Sequence, residues 1–172
     1  MVWASPKLAF LLLMDSSPAD EVERAYQAGL RLLAYRPRSR HEVRQRLSSR
    51  FSDDAVQQVL ALLEEHGYLN DVAFARAWRE SREAHRPRSA LLIRRELQQR
   101  GVAREVADAA VAGLDEEDSA YQAGRHRLRA LQGVDYVTFR RRLGDYLRRR
   151  GFASGVVRRT VDRLWQEREQ AP

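Results

Sequence analysis

"RPRSRHEVRQRL", residues 36–47, returns in altered form fifty positions later as "RPRSALLIRREL", residues 86–97. The spacing holds a third time, because apolar residues of the same type recur at that offset along the chain. They are Val43, Ile93 and Leu143; Leu47, Leu97 and Leu147; and Val56, Val106 and Val156. An internal period of this length is typical of repeat proteins, in which one supersecondary unit is copied. The sequence therefore predicts three copies of one structural unit.

Each copy has the periodicity of helices. Phe139, Leu143, Tyr146 and Leu147 follow the i, i+4, i+7, i+8 pattern of one helix face. Ser39 and Glu42 form a predicted capping box, and Ser52 is a predicted N-cap. Glycines 67, 101 and 151 stand where helices should end. The predicted helices are 18–35, 39–50 and 53–66; 71–86, 89–100 and 103–114; and 117–132, 136–150 and 154–168.

The predicted fold is all-α: three tandem three-helix repeats in an elongated, curved array. Its boundaries are 1–17 for an N-terminal extension, 18–70 for repeat 1, 71–116 for repeat 2 and 117–172 for repeat 3. One repeat of about fifty residues would be marginal by itself, so neighbouring repeats should share buried surface. The stretch "LAFLLLM", residues 8–14, is too short for a signal-peptide core and is assigned to the extension.

Composition excludes several classes of protein. The 172 residues contain no cysteine, which excludes disulfides and thiolate metal sites. No stretch approaches the roughly 20 apolar residues of a membrane span, so we expect a cytoplasmic protein with no membrane partner. No phosphate-binding loop is present, and the four histidines, His41, His66, His85 and His126, lack ligand spacing. The acidic run 115–118 stands at a predicted helix start, where acids are ordinary. We expect no enzyme activity, no cofactor and no metal.

The positive charge is concentrated in repeat 3. The net charge of the chain is +7, and residues 119–172 contain 13 arginines against five acidic residues. With successive side chains about 100° apart, Arg141 and Arg148 point away from the face of Phe139, Leu143 and Leu147. A charged helix face can be merely solvated, or it can bind a polyanion such as nucleic acid or an acidic protein. The candidate contact residues are Arg140, Arg141, Arg148, Arg149, Arg158 and Arg159. The aromatic residues of repeat 3 have core spacing: Tyr136, Phe139, Tyr146, Phe152 and Trp165.

Three phrases of the chain resemble the RecX family of bacterial RecA regulators. The most specific is "HGYLND", residues 66–71, which is followed by Phe74 and is similar to a glycine-tyrosine-leucine-acid signature of that family. "IRRELQQRGV", residues 93–102, and "LRRRGF", residues 147–152, resemble its second and third repeat phrases. The resemblance extends over about residues 24–168. The family commonly has aspartate where this chain has Asn70.

The resemblance implies a protein that binds the RecA filament on single-stranded DNA, directly or through the filament. It also implies inhibition of strand exchange, ATP hydrolysis and co-protease activity, and thus a role in recombinational repair and the SOS response. We expect a monomer. Two alternatives remain open at this stage: a DNA-binding protein of helix-turn-helix type that acts without RecA, and a generic helical-repeat scaffold. "VADAAVAGL", residues 106–114, is too small and apolar for a recognition helix, so only repeat 3 suits the first alternative.

Overall fold

The structure, a computed structural model, describes residues 17–170, which form nine α-helices, one short 3₁₀ turn and no strand. The predicted all-α fold of three tandem three-helix repeats is confirmed for this part of the chain. The predicted N-terminal extension, with its "LAFLLLM" stretch, lies outside the described residues apart from Ser17. The helices are α1 (Pro18–Tyr35), α2 (Arg40–Leu47), α3 (Asp53–Glu65), α4 (Asp71–His85), α5 (Ala90–Gln99), α6 (Arg104–Val111), α7 (Glu116–Arg127), α8 (Tyr136–Arg149) and α9 (Ser154–Gln170), with the 3₁₀ turn at Leu128–Leu131.

Each repeat encloses its own hydrophobic core. The chain divides into two compact units: the first extends to Asp71 and contains repeat 1, and the second begins at Val72 and contains repeats 2 and 3. Leu47, Leu97 and Leu147 are all buried, as their shared spacing predicts. Val43, Ile93 and Leu143, one turn earlier in each second helix, are fully buried as well. The second helix of every repeat therefore presents the same apolar face to its core.

The third helices depart from the fifty-residue spacing. Val56 is fully buried, whereas Val106 and Val156 are only partly buried and Ala107 and Val157 take the core position instead. The predicted equivalence of Val56, Val106 and Val156 is therefore wrong by one residue. The cause is a glycine, Gly101 or Gly151, that follows the second helix of repeats 2 and 3 and has no counterpart in repeat 1. These glycines adopt φ values of +75° and +88°, which favour glycine.

Local capping explains where the helices begin. The Ser39 hydroxyl accepts a hydrogen bond from the Glu42 backbone N–H at 3.2 Å, and the Glu42 carboxylate accepts one from the Ser39 N–H at 3.2 Å. This reciprocal pair is the predicted capping box. The Ser52 hydroxyl likewise accepts from the Ala55 N–H at the start of α3, as predicted. The predicted helix 117–132 ends at Arg127 and tightens into the 3₁₀ turn.

Acidic residues from outside the helix cap the second helices of repeats 1 and 2. The Asp71 carboxylate, at the first residue of α4, accepts the Arg40 N–H at 2.8 Å and so caps α2. Burial raises the pKa of this carboxyl. The Glu116 carboxylate, at the first residue of α7, accepts the Ala90 N–H at 2.7 Å and caps α5 in the same way. Both acids are the first residue of a helix, and each caps the second helix of a repeat, so repeats 1 and 2 have the same capping interaction.

The turn between α8 and α9 packs directly against repeat 2. The Ser89 N–H donates to the Arg150 carbonyl at 3.1 Å, and the Arg150 guanidinium donates to the Pro87 carbonyl at 3.0 Å. Gly151 lies so close that a β-carbon there would be 2.4 Å from the Ser89 hydroxyl and 3.1 Å from Leu92 Cβ. These interactions fix α8 and α9, which carry the basic residues, onto repeat 2.

Candidate functional site

An open groove of about 660 Å³ runs between α8 and α9 of repeat 3. Four of the six arginines predicted from the sequence line it: Arg140, Arg141 and Arg148 from α8 and Arg158 from α9. Two glycines, Gly144 and Gly155, lie along the groove and contribute no side chain that would fill it. The remaining lining residues are Val137, Ser154, Val157, Val161 and Asp162. We call this site the arginine groove.

The helix core forces these arginines outward. Phe139, Leu143 and Leu147 are fully buried on the inner face of α8, so Arg141 and Arg148 have to lie on the solvent side. The N-terminus of the helix is fixed by Asp135, whose carboxylate accepts the Thr138 N–H at 2.9 Å. The hydrogen bond from that backbone N–H lowers the pKa of Asp135, so the cap stays ionised. The direction of the arginine side chains thus follows from α8 itself.

The other two predicted arginines lie outside the groove. Arg159 points across to α7 and forms an ion pair with Glu117. This hydrogen-bonded pair raises the pKa of the Arg159 guanidinium. Arg149 is exposed at the last residue of α8 but does not line the groove. Four of the six candidate contact residues thus line one groove, and Arg149 and Arg159 lie outside it.

The charge of the groove is largely uncompensated. Arg140, Arg141 and Arg158 form no ion pair with any acid among residues 17–170. Arg148 pairs with Asp145 at 2.9 Å, but both side chains are about half exposed, at 54% and 47%. Exposed pairs of this kind contribute about 0–1 kcal/mol and exchange readily for a stronger partner. Guanidinium groups arranged in this way suit phosphate or carboxylate, which they bind through two parallel hydrogen bonds.

The equivalent place in repeat 2 is filled. Arg94 stands where repeat 3 has Gly144, and Asp108 stands where it has Arg158. The Arg94 guanidinium forms an ion pair with Asp108 at 3.1 Å, and Arg104 approaches the same carboxylate at 3.6 Å. A glycine replaces a long side chain and an arginine replaces an acid, so repeat 3 gains both the space and the charge of its groove.

A second groove, of about 730 Å³, lies between α4 and α6 of repeat 2 and has a mixed character. Its charged residues are of both signs, and the guanidinium of Arg79 is already engaged. That group pairs with Glu83 at 3.2 Å and donates to the carbonyls of Ala110 and Ala112. The charged lining residues are Arg76, Arg79, Glu80, Glu83 and Glu105. This groove has no excess charge that would select a polyanion.

The acidic run 115–118 holds structural positions. Asp115 caps α7 by accepting the N–H groups of Glu117 and Asp118, Glu116 caps α5, and Glu117 pairs with Arg159. Among residues 17–170, no three histidine or acidic side chains lie close enough together to hold a metal ion. In the same residues, no helix has the length and apolar character needed to cross a membrane.

Comparison with known proteins places the chain in a family. Models of the first, second and third three-helix domains of RecX match residues 25–72, 70–111 and 115–161 in that order. The chain belongs to the RecX family. The regulatory protein RecX of Streptomyces coelicolor is 38% identical over 154 residues, which cover 87% of this chain and 82% of the relative. The regulatory protein RecX of Mycobacterium avium is 37% identical over 161 residues, covering 90% and 92%.

A solved RecX structure supports the fold. The crystal structure of RecX from Lactobacillus salivarius superimposes with a TM-score of 0.73 and covers 85% of this chain and 97% of its own. Only 19% of the aligned residues are identical, so this likeness concerns the fold alone. The three family models and the sequence relatives confirm the resemblance to the RecX family that the repeat phrases indicate.

Sequence reasoning missed the groove itself. It identified exposed arginines but not Gly144 and Gly155, the two glycines in the lining of the groove. A signal was present: an alignment of the repeats places Gly144 opposite Arg94 and Arg44, so a small residue replaces two large ones. Tyr136 is a second miss, because its core spacing predicts burial and its side chain is 37% exposed.

Proposed function

We propose that this RecX-family protein is a non-catalytic regulator that binds the RecA filament on single-stranded DNA. By occupying the filament it inhibits strand exchange, ATP hydrolysis and co-protease activity, and it thereby modulates recombinational repair and the SOS response in the cytoplasm. It acts as a monomer, with no cofactor and no metal. Two kinds of support combine here: the RecX family relationship and the arginine groove.

The arginine groove is the observation that carries this proposal. A RecA filament on DNA is a nucleoprotein, and its DNA presents a row of phosphates. Arg140, Arg141 and Arg158 have no acidic partner among the described residues and lie in one groove, so they suit such a partner. Repeat 2 has Ala90 and Leu91 where repeat 3 has Arg140 and Arg141, and it has Asp108, which pairs with Arg94, where repeat 3 has Arg158. We therefore assign the polyanion contact to repeat 3.

Inhibition needs no chemistry from the protein under this proposal. A regulator that binds one state of the filament shifts the population toward that state by its differential affinity. The arginines bind and orient the regulator, and the packed cores of the repeats hold them in place. Loss of ATP hydrolysis then reports a change in the filament and not a reaction of this chain.

The test is the ATPase activity of RecA on single-stranded DNA, with this protein added at substoichiometric and equimolar amounts. We expect the rate to fall with the wild-type protein. The double variant Arg141→Gln, Arg148→Gln should inhibit at least about tenfold less effectively, because two guanidinium groups that would bind phosphate are removed. Both side chains point away from the core, so the fold should persist.

A matched control removes the same charge from another repeat. Arg44 and Arg46 are exposed on α2, and Arg44→Gln, Arg46→Gln also lowers the net charge by two. This control should inhibit RecA nearly as well as the wild type. Unchanged ATPase with equimolar wild-type protein would refute the proposed function, and equal weakening in the two double variants would refute the role of the groove.

A further inference from the structure

The arginine groove has an apolar end. Val137, in the first turn of α8, is 74% exposed and lines the groove. Isolated exposed apolar residues are common on protein surfaces and need no explanation by themselves. Val137 differs because it continues the stripe of Arg140, Arg141 and Arg148 at the helical spacing i, i+3, i+4 and i+11. One face of α8 therefore changes from apolar to cationic along its length.

Tyr136 lies beside this end of the groove and contacts Asp162, which lines it. The Tyr136 hydroxyl donates to the Asp162 carboxylate at 3.2 Å, and the Tyr136 ring packs edge-on against Trp165 with centroids 5.2 Å apart. These interactions hold the tyrosine in one position although it is 37% exposed. Asp162 itself lines the groove. This end of the groove thus has an exposed valine and one carboxylate in its lining, and the fixed ring of Tyr136 lies beside it.

We propose that the arginine groove takes one nucleotide of an unpaired DNA strand, with its phosphate on the arginines and its base against Val137. This inference rests on the proposed function and names the class of nucleic acid that the groove selects. Val137 and Arg141 are one helical turn apart, about 6 Å along the axis. A single nucleotide can bridge that distance between its phosphate and its base.

The charges in the groove orient the nucleotide. The phosphate is attracted to Arg140, Arg141 and Arg158, while Asp162 repels it from the apolar end. The Asp162 carboxylate can instead accept an N–H from a base edge. An acidic peptide would meet the same arginines, but a peptide is charged only where its sequence places an acid, whereas every nucleotide of a DNA strand has a phosphate. The row of arginines therefore fits a nucleic-acid strand better than a peptide.

An unpaired strand can place a phosphate on the arginines and a base on Val137 at the same time, whereas a duplex cannot. The bases of a duplex are stacked on one another, so a protein that uses a base face has to flip or unstack that base first. Single strands offer their base faces directly, and stacking against them tolerates any sequence because every base has one. The apolar end should thus add affinity only for unpaired DNA, whereas the arginines bind the phosphates of either form.

The experiment measures binding of the full chain, without RecA, to three probes of equal length: oligothymidylate, an abasic strand with the same phosphates, and a duplex. The variant Val137→Ser removes the apolar side chain and keeps every charge. We expect it to weaken oligothymidylate binding about fivefold while leaving the abasic strand and the duplex unchanged. Arg141→Gln should weaken binding to all three probes.

A second variant is expected to tighten binding, which a misfolded protein would not do. Val137→Phe enlarges the apolar surface at an exposed position and should tighten oligothymidylate binding without tightening abasic binding. Equal effects of Val137→Ser on oligothymidylate and on the abasic strand, or no effect on either, would overturn the inference. So would normal DNA binding by Val137→Ser together with abolished inhibition of RecA, because the groove would then contact protein. Failure of the proposed function shows instead as unchanged RecA ATPase with the wild-type protein.

Discussion

Repeats 2 and 3 have equivalent helices around equivalent cores, yet their surfaces between the second and third helices differ. In repeat 2, Arg94 and Asp108 fill this space and neutralise each other at 3.1 Å. In repeat 3, Gly144 and Arg158 stand at the same positions and leave an open, positive groove. Ile93 and Leu143, the neighbours of this pair in sequence, are both fully buried. The comparison teaches that the core constrains one face of each helix and leaves the other face to vary with function.

The two repeats differ in a second place, on the other side of the second helix. Repeat 2 has Glu96, which accepts hydrogen bonds from Trp78 and Arg82 at 2.8 Å each and pairs with Arg88. Repeat 3 has Tyr146 at the equivalent position, with the Arg150 guanidinium 4.7 Å from its ring centroid. In repeat 2 the Glu96 carboxylate pairs with two arginines, whereas repeat 3 has no acidic residue at this position.

The largest expected effect tests whether the two cores are in fact equivalent. Leu97→Ala and Leu147→Ala should each lower the free energy of unfolding by about 2–5 kcal/mol, because each removes a fully buried side chain. Urea denaturation followed by circular dichroism measures both. Leu47→Ala, in repeat 1, should behave alike. If any of the three variants unfolded at the urea midpoint of the wild type, that leucine would not be a core residue and the alignment of the repeats would be wrong.

A smaller loss is expected where repeat 3 meets repeat 2. Gly151→Ala should cost about 2–3 kcal/mol, because a β-carbon at φ +88° is strained and would collide with Ser89. Gly113 is the matched control, since it has φ +72° but nothing within 4 Å of the added carbon. Gly113→Ala should therefore cost only about 1 kcal/mol for the backbone strain. Equal costs in thermal unfolding would show that the close approach to Ser89 contributes nothing.

The ion cluster around Glu96 predicts a dependence of stability on pH that the equivalent position of repeat 3, Tyr146, cannot contribute. Burial raises the pKa of Glu96, but the hydrogen bonds from Arg82 and Trp78 outweigh it and lower the pKa overall. A carboxylate with a lowered folded-state pKa stabilises the protein above its unfolded-state pKa of about 4.3, and this stabilisation is lost as the pH falls through the folded-state value. Glu96→Gln should thus cost about 2 kcal/mol at pH 7 and progressively less in acid.

The counterpart in repeat 3 serves as the control for this titration. Tyr146→Phe should change stability by the same amount at every pH below 7, since no carboxylate is involved. Denaturant midpoints of both variants and the wild type at pH 7 and in acid give the comparison. A pH-independent difference between Glu96→Gln and the wild type would show that the cluster stabilises by packing alone.

The sequence was sufficient to predict the helices and the core of the second helices. Periodicity and capping are local signals: Ser39 and Glu42 cap each other three residues apart, and the spacing of Leu47 from Val43 places both on the same buried helix face. The exposure of Arg141 follows just as locally from the buried face of α8. These predictions needed no knowledge of how distant parts of the chain meet.

Interactions between distant residues account for what the sequence did not predict. The groove depends on Gly144 and Arg158 coming together from two helices, and neither position is unusual by itself. Arg159 leaves the groove because it meets Glu117, 42 residues away. The core positions of the third helices are shifted by one residue because repeats 2 and 3 each contain one additional residue, Gly101 or Gly151, that repeat 1 lacks. Comparing the repeats position by position, and not only by their apolar residues, would have pointed to Gly144.

The most direct test of the central claim converts the surface of repeat 3 into that of repeat 2. The double variant Gly144→Arg, Arg158→Asp fills the groove with an ion pair of the kind that Arg94 and Asp108 form. The fold should tolerate it, because a β-carbon at position 144 would lie 3.3 Å only from the flexible end of Arg148. Like the single control Arg44→Gln, it lowers the net charge by one.

The measurement is the affinity for single-stranded DNA as a function of salt concentration. With the groove closed, affinity should fall about tenfold, and the log–log salt slope should flatten by about 0.7 for each phosphate that the protein no longer neutralises. Arg44→Gln should leave the slope unchanged. An unchanged affinity and slope in the closed-groove variant would contradict the account and return the arginines of repeat 3 to the role of a solvated surface.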